Sequence, residues 1–81
     1  MKIALSDRAQ KDYRGLSPRL KKQTSKQLNV LSGDLRHPSL HAKKYDEAND
    51  VWQGRVNRDY RFYFRVIGDT YFILSIIPHP K

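Results

Sequence analysis

The chain has 81 residues, 38% of them hydrophobic, and no cysteine, which leaves room for one small core and excludes disulfides and thiolate metal sites. Its 16 Lys plus Arg against 8 Asp plus Glu give a formal charge of +8 and a pI of about 10.1, pointing to nucleic acid or an acidic protein as partner. No stretch is long enough to span a membrane, and the amino terminus carries only a three-residue apolar run before charges resume, so a single cytoplasmic domain over residues 1–81 without an export signal is expected.

In chain order, Lys2–Leu5 reads as a short strand, and Ser6 before Asp7 supplies an N-cap for a first helix running to about Gly15. Ala9, Tyr13 and Leu16 fall on one face of it. Ser17 and Pro18 start a second helix, with Leu20, Thr24, Leu28 and Leu31 at helical spacing and Gly33 as its stop. The short connection predicts a helical hairpin. After the loop at 37–40 the period changes to two. Strands are expected over about 41–45, 51–56, 60–66 and 70–76, with turns at 46–50, 57–59 and 68–69. The order β-α-α-β-β-β-β predicts an α+β domain, a two-helix hairpin packed on a mainly antiparallel sheet.

Strand alternation separates residues 60–66 into an apolar row, Tyr60, Phe62, Phe64 and Val66, and an opposite row of Arg61, Tyr63 and Arg65. Two guanidiniums and a phenol on one open face suit a polyanion, with RNA the first candidate because aromatic rings also stack on unpaired bases. Lys43, Lys44, Arg55 and Arg58 join the basic set, and Arg61 is the sharpest choice for a bidentate phosphate contact. His79 stands between Pro78 and Pro80, which stiffen the tail and direct an imidazole suited to proton transfer. His37 and His41 are four apart, but Pro38 lies between them and no helical metal pair is expected. Asp46, Glu47 and Asp50 sit where turn carboxylates collect, and Arg19, Lys22 and Lys26 form a basic stripe on the second helix. No Gly-rich phosphate loop, HExxH or G-x-S-x-G motif is present.

In element order the whole chain resembles the RelE/ParE superfamily of bacterial type II toxins, most strongly from Trp52 onward. W-Q-G-R-V-N-R-D-Y-R-F-Y-F-R is similar to the family's central hairpin, in which a Trp, an Arg and then a YR or HR pair lead into a hydrophobic strand. RelE-like and YoeB-like RNA-cleaving members have an arginine opening that strand and a histidine or another catalytic side chain near the carboxyl end. Arg61 and His79 match these positions, 18 residues apart. The resemblance implies a ribosome-dependent endoribonuclease that cleaves mRNA in the decoding site. The ribose 2′-OH attacks the adjacent phosphorus, leaving a cyclic phosphate and a 5′-OH, with no metal or other cofactor.

On that implication Arg61 stabilises the phosphate, His79 is the acid or a phosphate donor, and Lys43 or His41 is the base. Lys44, Arg55, Arg58, Tyr63 and Arg65 would bind or orient RNA. A cognate antitoxin covering the basic surface in a hetero-oligomer is also implied. The chain departs from YoeB-like members in having no acid across residues 41–44, where they carry a carboxylate base, and in having Pro80 where they have an aromatic. Two alternatives share the fold: a ParE-like gyrase inhibitor without RNase activity, and a catalytically degenerate RNA-binding member.

Overall fold

The computed structural model describes residues 1–80; Lys81 lies outside them. Its elements are β1 (Lys2–Leu5), α1 (Asp7–Arg14), α2 (Pro18–Gly33), a 3₁₀ turn (Pro38–Leu40), β2 (Lys43–Asp46), β3 (Val51–Arg55), β4 (Tyr60–Ile67) and β5 (Thr70–Pro78). The expected β-α-α-β-β-β-β order is observed. The five strands form one sheet in the order β1-β5-β4-β3-β2, so β2 to β5 are a meander and β1 adds to its far edge. All pairs are antiparallel except β1 with β5. β5 extends two residues beyond the expected strand because Tyr60 at the start of β4 pairs with Pro78.

Both helix starts follow from their caps. The Ser6 hydroxyl accepts from the Ala9 amide at 3.0 Å, and Ser17 accepts from Leu20 at 3.2 Å with Pro18 in the first turn. Ala9, Leu28 and Leu31 are buried with Phe62, Phe64, Tyr71, Ile73 and Ile76, while Tyr13 and Leu16 pack against this core. Gln27 is also buried, a polar residue among the leucines. Its amide donates to Ser39 O at 3.1 Å and Arg55 O at 2.9 Å, tying α2 to the 3₁₀ turn and to the end of β3. Among the described residues no helix is long and apolar enough to cross a membrane.

β1 ends at Leu5 while β5 runs on, so half of β5 would present an open edge. α1 fills that edge. Ser6 N donates to Ile73 O at 2.9 Å, the Ser6 hydroxyl donates to Leu74 O at 2.9 Å, and the Ile76 amide donates to Asp12 Oδ2 at 3.0 Å. Substituting Asp12→Ala strands the part-buried Ile76 amide and is expected to cost about 1–3 kcal/mol in urea unfolding, whereas Asp12→Asn keeps an acceptor and recovers most of it. Equal stabilities for the two variants would show that this bond does not hold the edge.

β5 also contains a bulge: Tyr63 pairs with Ser75 and Phe64 with Ile73, leaving Leu74 as the extra residue. Side chains beyond it change face. Tyr71, Ile73 and Ile76 enter the core, and Ser75 and Ile77 turn to the opposite side of the sheet, with Tyr63 and Arg61.

Candidate active site

The sheet face turned away from the core carries a cleft of about 430 Å³ lined by His41, Ala42, Lys43, Gln53, Arg55, Arg61 and His79. Strand register assembles it. Lys43 on β2 lies opposite Gln53 on β3, and Arg55, two residues on, lies directly opposite Arg61 on β4. Arg61 in turn faces Ile77 on β5, which brings His79 to the same end of the sheet. His41 enters from the 3₁₀ turn in a left-handed conformation, φ 46°, an uncommon state for a residue with a side chain.

Arg61 is only 8% exposed. Its Nη1 donates to Asn57 O at 2.6 Å, Tyr60 O at 3.0 Å and Arg58 O at 3.2 Å, so one nitrogen is consumed by the β3–β4 turn. Nε and Nη2 make no hydrogen bond to another described residue, leaving three N–H donors for the cleft. Burial pulls the Arg61 pKa below the usual arginine value and the Arg55 guanidinium adds to that, while Tyr63 and Asp59 oppose it. Like charges on directly opposed strand positions are destabilising. Among the described residues neither arginine forms a carboxylate ion pair. The buried Arg55 Nε has no hydrogen-bond partner, and Arg55 Nη1 lies 3.4 Å from His41 Nε2. A guanidinium has donors only, so in this long contact the imidazole nitrogen accepts. An anion seated between the two guanidiniums would neutralise this repulsion.

Of the sequence-selected residues, His41, Lys43, Arg55, Arg61 and His79 converge on the cleft; the others do not line it. His79 is held by its amide, which donates to Asp59 O at 2.7 Å, and it also borders a neighbouring recess with Arg58. Lys44 pairs with Trp52, a position that alternates with Gln53 and so faces the other way. Its ammonium sits 2.6 Å from Asp50 Oδ1 and 5.1 Å from the centre of the Trp52 ring. The hydrogen bond to Asp50 raises the Lys44 pKa and lowers that of Asp50. Asp46 is lowered chiefly by hydrogen bonds from Asn49, to which its carboxylate binds through both the side chain and the backbone. The carboxylates of Asp46 and Asp50 are thus structural. Arg65 is exposed, four residues along β4 from Arg61, about 13 Å away at strand rise.

The expected open face is open at Arg65 but closed at Arg61 and Tyr63, the latter 7% exposed. Tyr63 is covered by Tyr45, edge-on at 4.8 Å, and its hydroxyl accepts from Gln53 Nε2 at 3.0 Å. Tyr63 lines an adjoining apolar cleft of about 340 Å³ with Tyr45, Val51, Leu74 and Ile77. Sequence reading passed over Gln53 and Tyr45. Gln53 was detectable, since it alternates with Arg55 in W-Q-G-R. Tyr45, 62% exposed, gave no signal because its partner Tyr63 comes from another strand.

No family model matches the sequence, and no curated protein matches it. Solved structures do match. The chain superposes on the YoeB/ParE toxin from Agrobacterium tumefaciens with a TM-score of 0.82 and 15% identity, covering 99% of this chain and 100% of that one. With the isolated E. coli RelE toxin the TM-score is 0.78 at 21% identity, over 99% and 85% of the chains. With the archaeal RelE-RelB complex from Pyrococcus horikoshii OT3 it is 0.79 at 16%, over 95% and 92%. The chain therefore has the RelE/ParE toxin fold.

Proposed function

We propose that this chain is the toxin of a type II toxin–antitoxin pair and a ribosome-dependent endoribonuclease that cleaves mRNA. The observation that carries this reading is the meeting of two opposed arginines without carboxylate partners among the described residues, one of them buried, with two imidazoles and a lysine in one cleft. RNA cleavage by its own 2′-OH needs a proton acceptor, a cationic cradle for the phosphorane and a proton donor for the leaving 5′-oxygen. Arg61 and Arg55 hold the phosphate through their free N–H groups. His41 takes the 2′-OH proton, since its Nε2 is the acceptor in the contact with Arg55, while Lys43, an ammonium with donors only, adds positive charge. The 2′-oxygen bonds to phosphorus, the bond to the 5′-oxygen breaks, and His79 gives that oxygen a proton, leaving a cyclic phosphate and a 5′-OH.

The exposed Tyr45 ring beside the cleft offers a stacking surface for a flanking base, and Arg58 and Arg65 extend the basic track. Lys44, tied to Asp50, is the weakest member of that track. The neighbours of the same fold include a RelB-RelE complex and a YoeB-YefM complex. An antitoxin masking the +8 surface in a hetero-oligomer fits this chain in the same way, and ribosomes place its action in the cytoplasm.

The test is incubation of the purified chain with programmed ribosomes and mapping of mRNA ends. The expected products carry a 5′-OH and a cyclic phosphate within the decoding site, and His79→Ala slows their formation by about 10²–10⁴-fold. Inhibition of supercoiling by gyrase without mRNA cleavage would assign the chain to the ParE-like alternative. RNA binding with neither effect would make it a non-catalytic member.

A further inference from the structure

The turn between β3 and β4 holds two of the cleft residues, Arg61 and His79. The Asn57 side chain organises it: Oδ1 accepts from the amides of Asp59 at 2.8 Å and Tyr60 at 2.9 Å, and Nδ2 donates to Gln23 Oε1 on α2 at 2.7 Å. The carbonyls of the turn then point at the cleft residues. Asn57 O and Arg58 O accept from Arg61 Nη1, and Asp59 O accepts from the His79 amide. His79 lies beyond Pro78, the last residue of β5, so this bond fixes the tail where the strand ladder has ended. The turn itself is exposed at Arg58 and Asp59, and the Asn57–Gln23 pair ties it to α2.

We propose that Asn57 is a positioning residue that sets the separation of the Arg61 guanidinium and His79, acting through the turn carbonyls, with Gln23 as its anchor on α2. The inference rests on the proposed function, in which both groups must meet one phosphate at the same time. Misplacement by about 1 Å from a substitution outside the chemistry can cost on the order of 10²-fold in rate. Neither Asn57 nor Gln23 lines the cleft.

The test compares Asn57→Ala, Asn57→Asp and Gln23→Ala in single-turnover cleavage of ribosome-bound mRNA, with Arg61→Ala as reference. In parallel, NMR of each variant follows the Arg61 side-chain nitrogens and the exchange of the His79 amide. Asn57→Ala is expected to lower the maximal rate by about 10–10²-fold with KM within about threefold. Asn57→Asp keeps the acceptor for the Asp59 and Tyr60 amides and restores most of the rate, and Gln23→Ala falls between. The Arg61 Nη signals, held apart by carbonyl bonds in the parent, average in Asn57→Ala, and the His79 amide loses protection. Should Asn57→Ala fail to fold, Gln23→Ala carries the same comparison. Unchanged Arg61 and His79 signals in the folded variants, or a parental maximal rate while Arg61→Ala is inactive, would overturn the inference. Parental cleavage by Arg61→Ala would instead remove the proposed function, and the NMR comparison would still decide whether Asn57 holds the two groups.

Discussion

Arg61→Ala is expected to lower the rate of mRNA cleavage by about 10²–10³-fold, the usual consequence of removing one preorganised donor from a developing oxyanion. On the proposed function the effect belongs to the maximal rate more than to KM, because Arg55, Arg58 and Arg65 would still attract the RNA backbone. The fold should withstand the change. Tyr60 O already accepts from the Val56 amide at 3.1 Å, and the Asn57 and Arg58 carbonyls lie in a turn that water reaches. Loss of the Nη1 bonds is partly offset by relief of the Arg55–Arg61 repulsion, so the stability change should stay within about 1.5 kcal/mol. Arg61→Lys keeps a charge but not the fork, and it is expected to restore only part of the rate. Circular dichroism melting alongside single-turnover cleavage separates the two readings. A variant that melts like the parent and cleaves like the parent would refute the role given to Arg61.

Gly54→Ala is expected to be the most damaging single-methyl change in the sheet. Gly54 pairs directly with Phe62, whose fully buried ring lies over the glycine. A Cβ at position 54 would stand 2.7 and 2.8 Å from Phe62 Cε2 and Cε1 and closer still to Cζ. The ring has little room to retreat, because Phe64 packs on it with centroids 5.6 Å apart, and Phe64 contacts Trp52 and Tyr71 in turn. Overpacking of this kind costs about 1–3 kcal/mol or somewhat more. For a domain of this size each kcal/mol lowers Tm by about 4–8 °C. Adding Phe62→Leu should return part of the loss, with a coupling of about 0.5–3 kcal/mol in the double-mutant cycle. Additive effects, or a Gly54→Ala variant within about 0.5 kcal/mol of the parent, would show that the ring moves freely. Activity should fall too, since Gln53 and Arg55 flank Gly54 on the cleft face of the same strand.

The element order was legible because each element announces itself locally. Ser6 and Ser17 cap the helices, the apolar period changes after residue 37, and turn residues separate the strands. Alternation also placed Arg61 with Tyr63 and Arg65 opposite the apolar row. It did not show that Tyr45 and Gln53 close over Tyr63, or that Lys43 and Lys44 part company, one into the cleft and one onto Asp50 and Trp52. Those facts depend on which residue of another strand lies alongside.

By itself, then, the sequence determined the elements, their basic and apolar faces, and the residue types available for chemistry. Tertiary structure alone decided which of them meet. Asp12 and Ile76 are 64 residues apart, Asn57 and Gln23 are 34, and Gln27 and Arg55 are 28. Simple alternation would send Tyr71, Ile73, Ser75 and Ile77 to one face, and His79 with them, onto the side of the core. The bulge at Leu74 reverses that phase, putting Ile76 in the core and Ser75, Ile77 and His79 on the face of Arg61. A period of two is a property of neighbouring residues, whereas a register shift is settled only by the pairing of whole strands and the α1 edge that holds them.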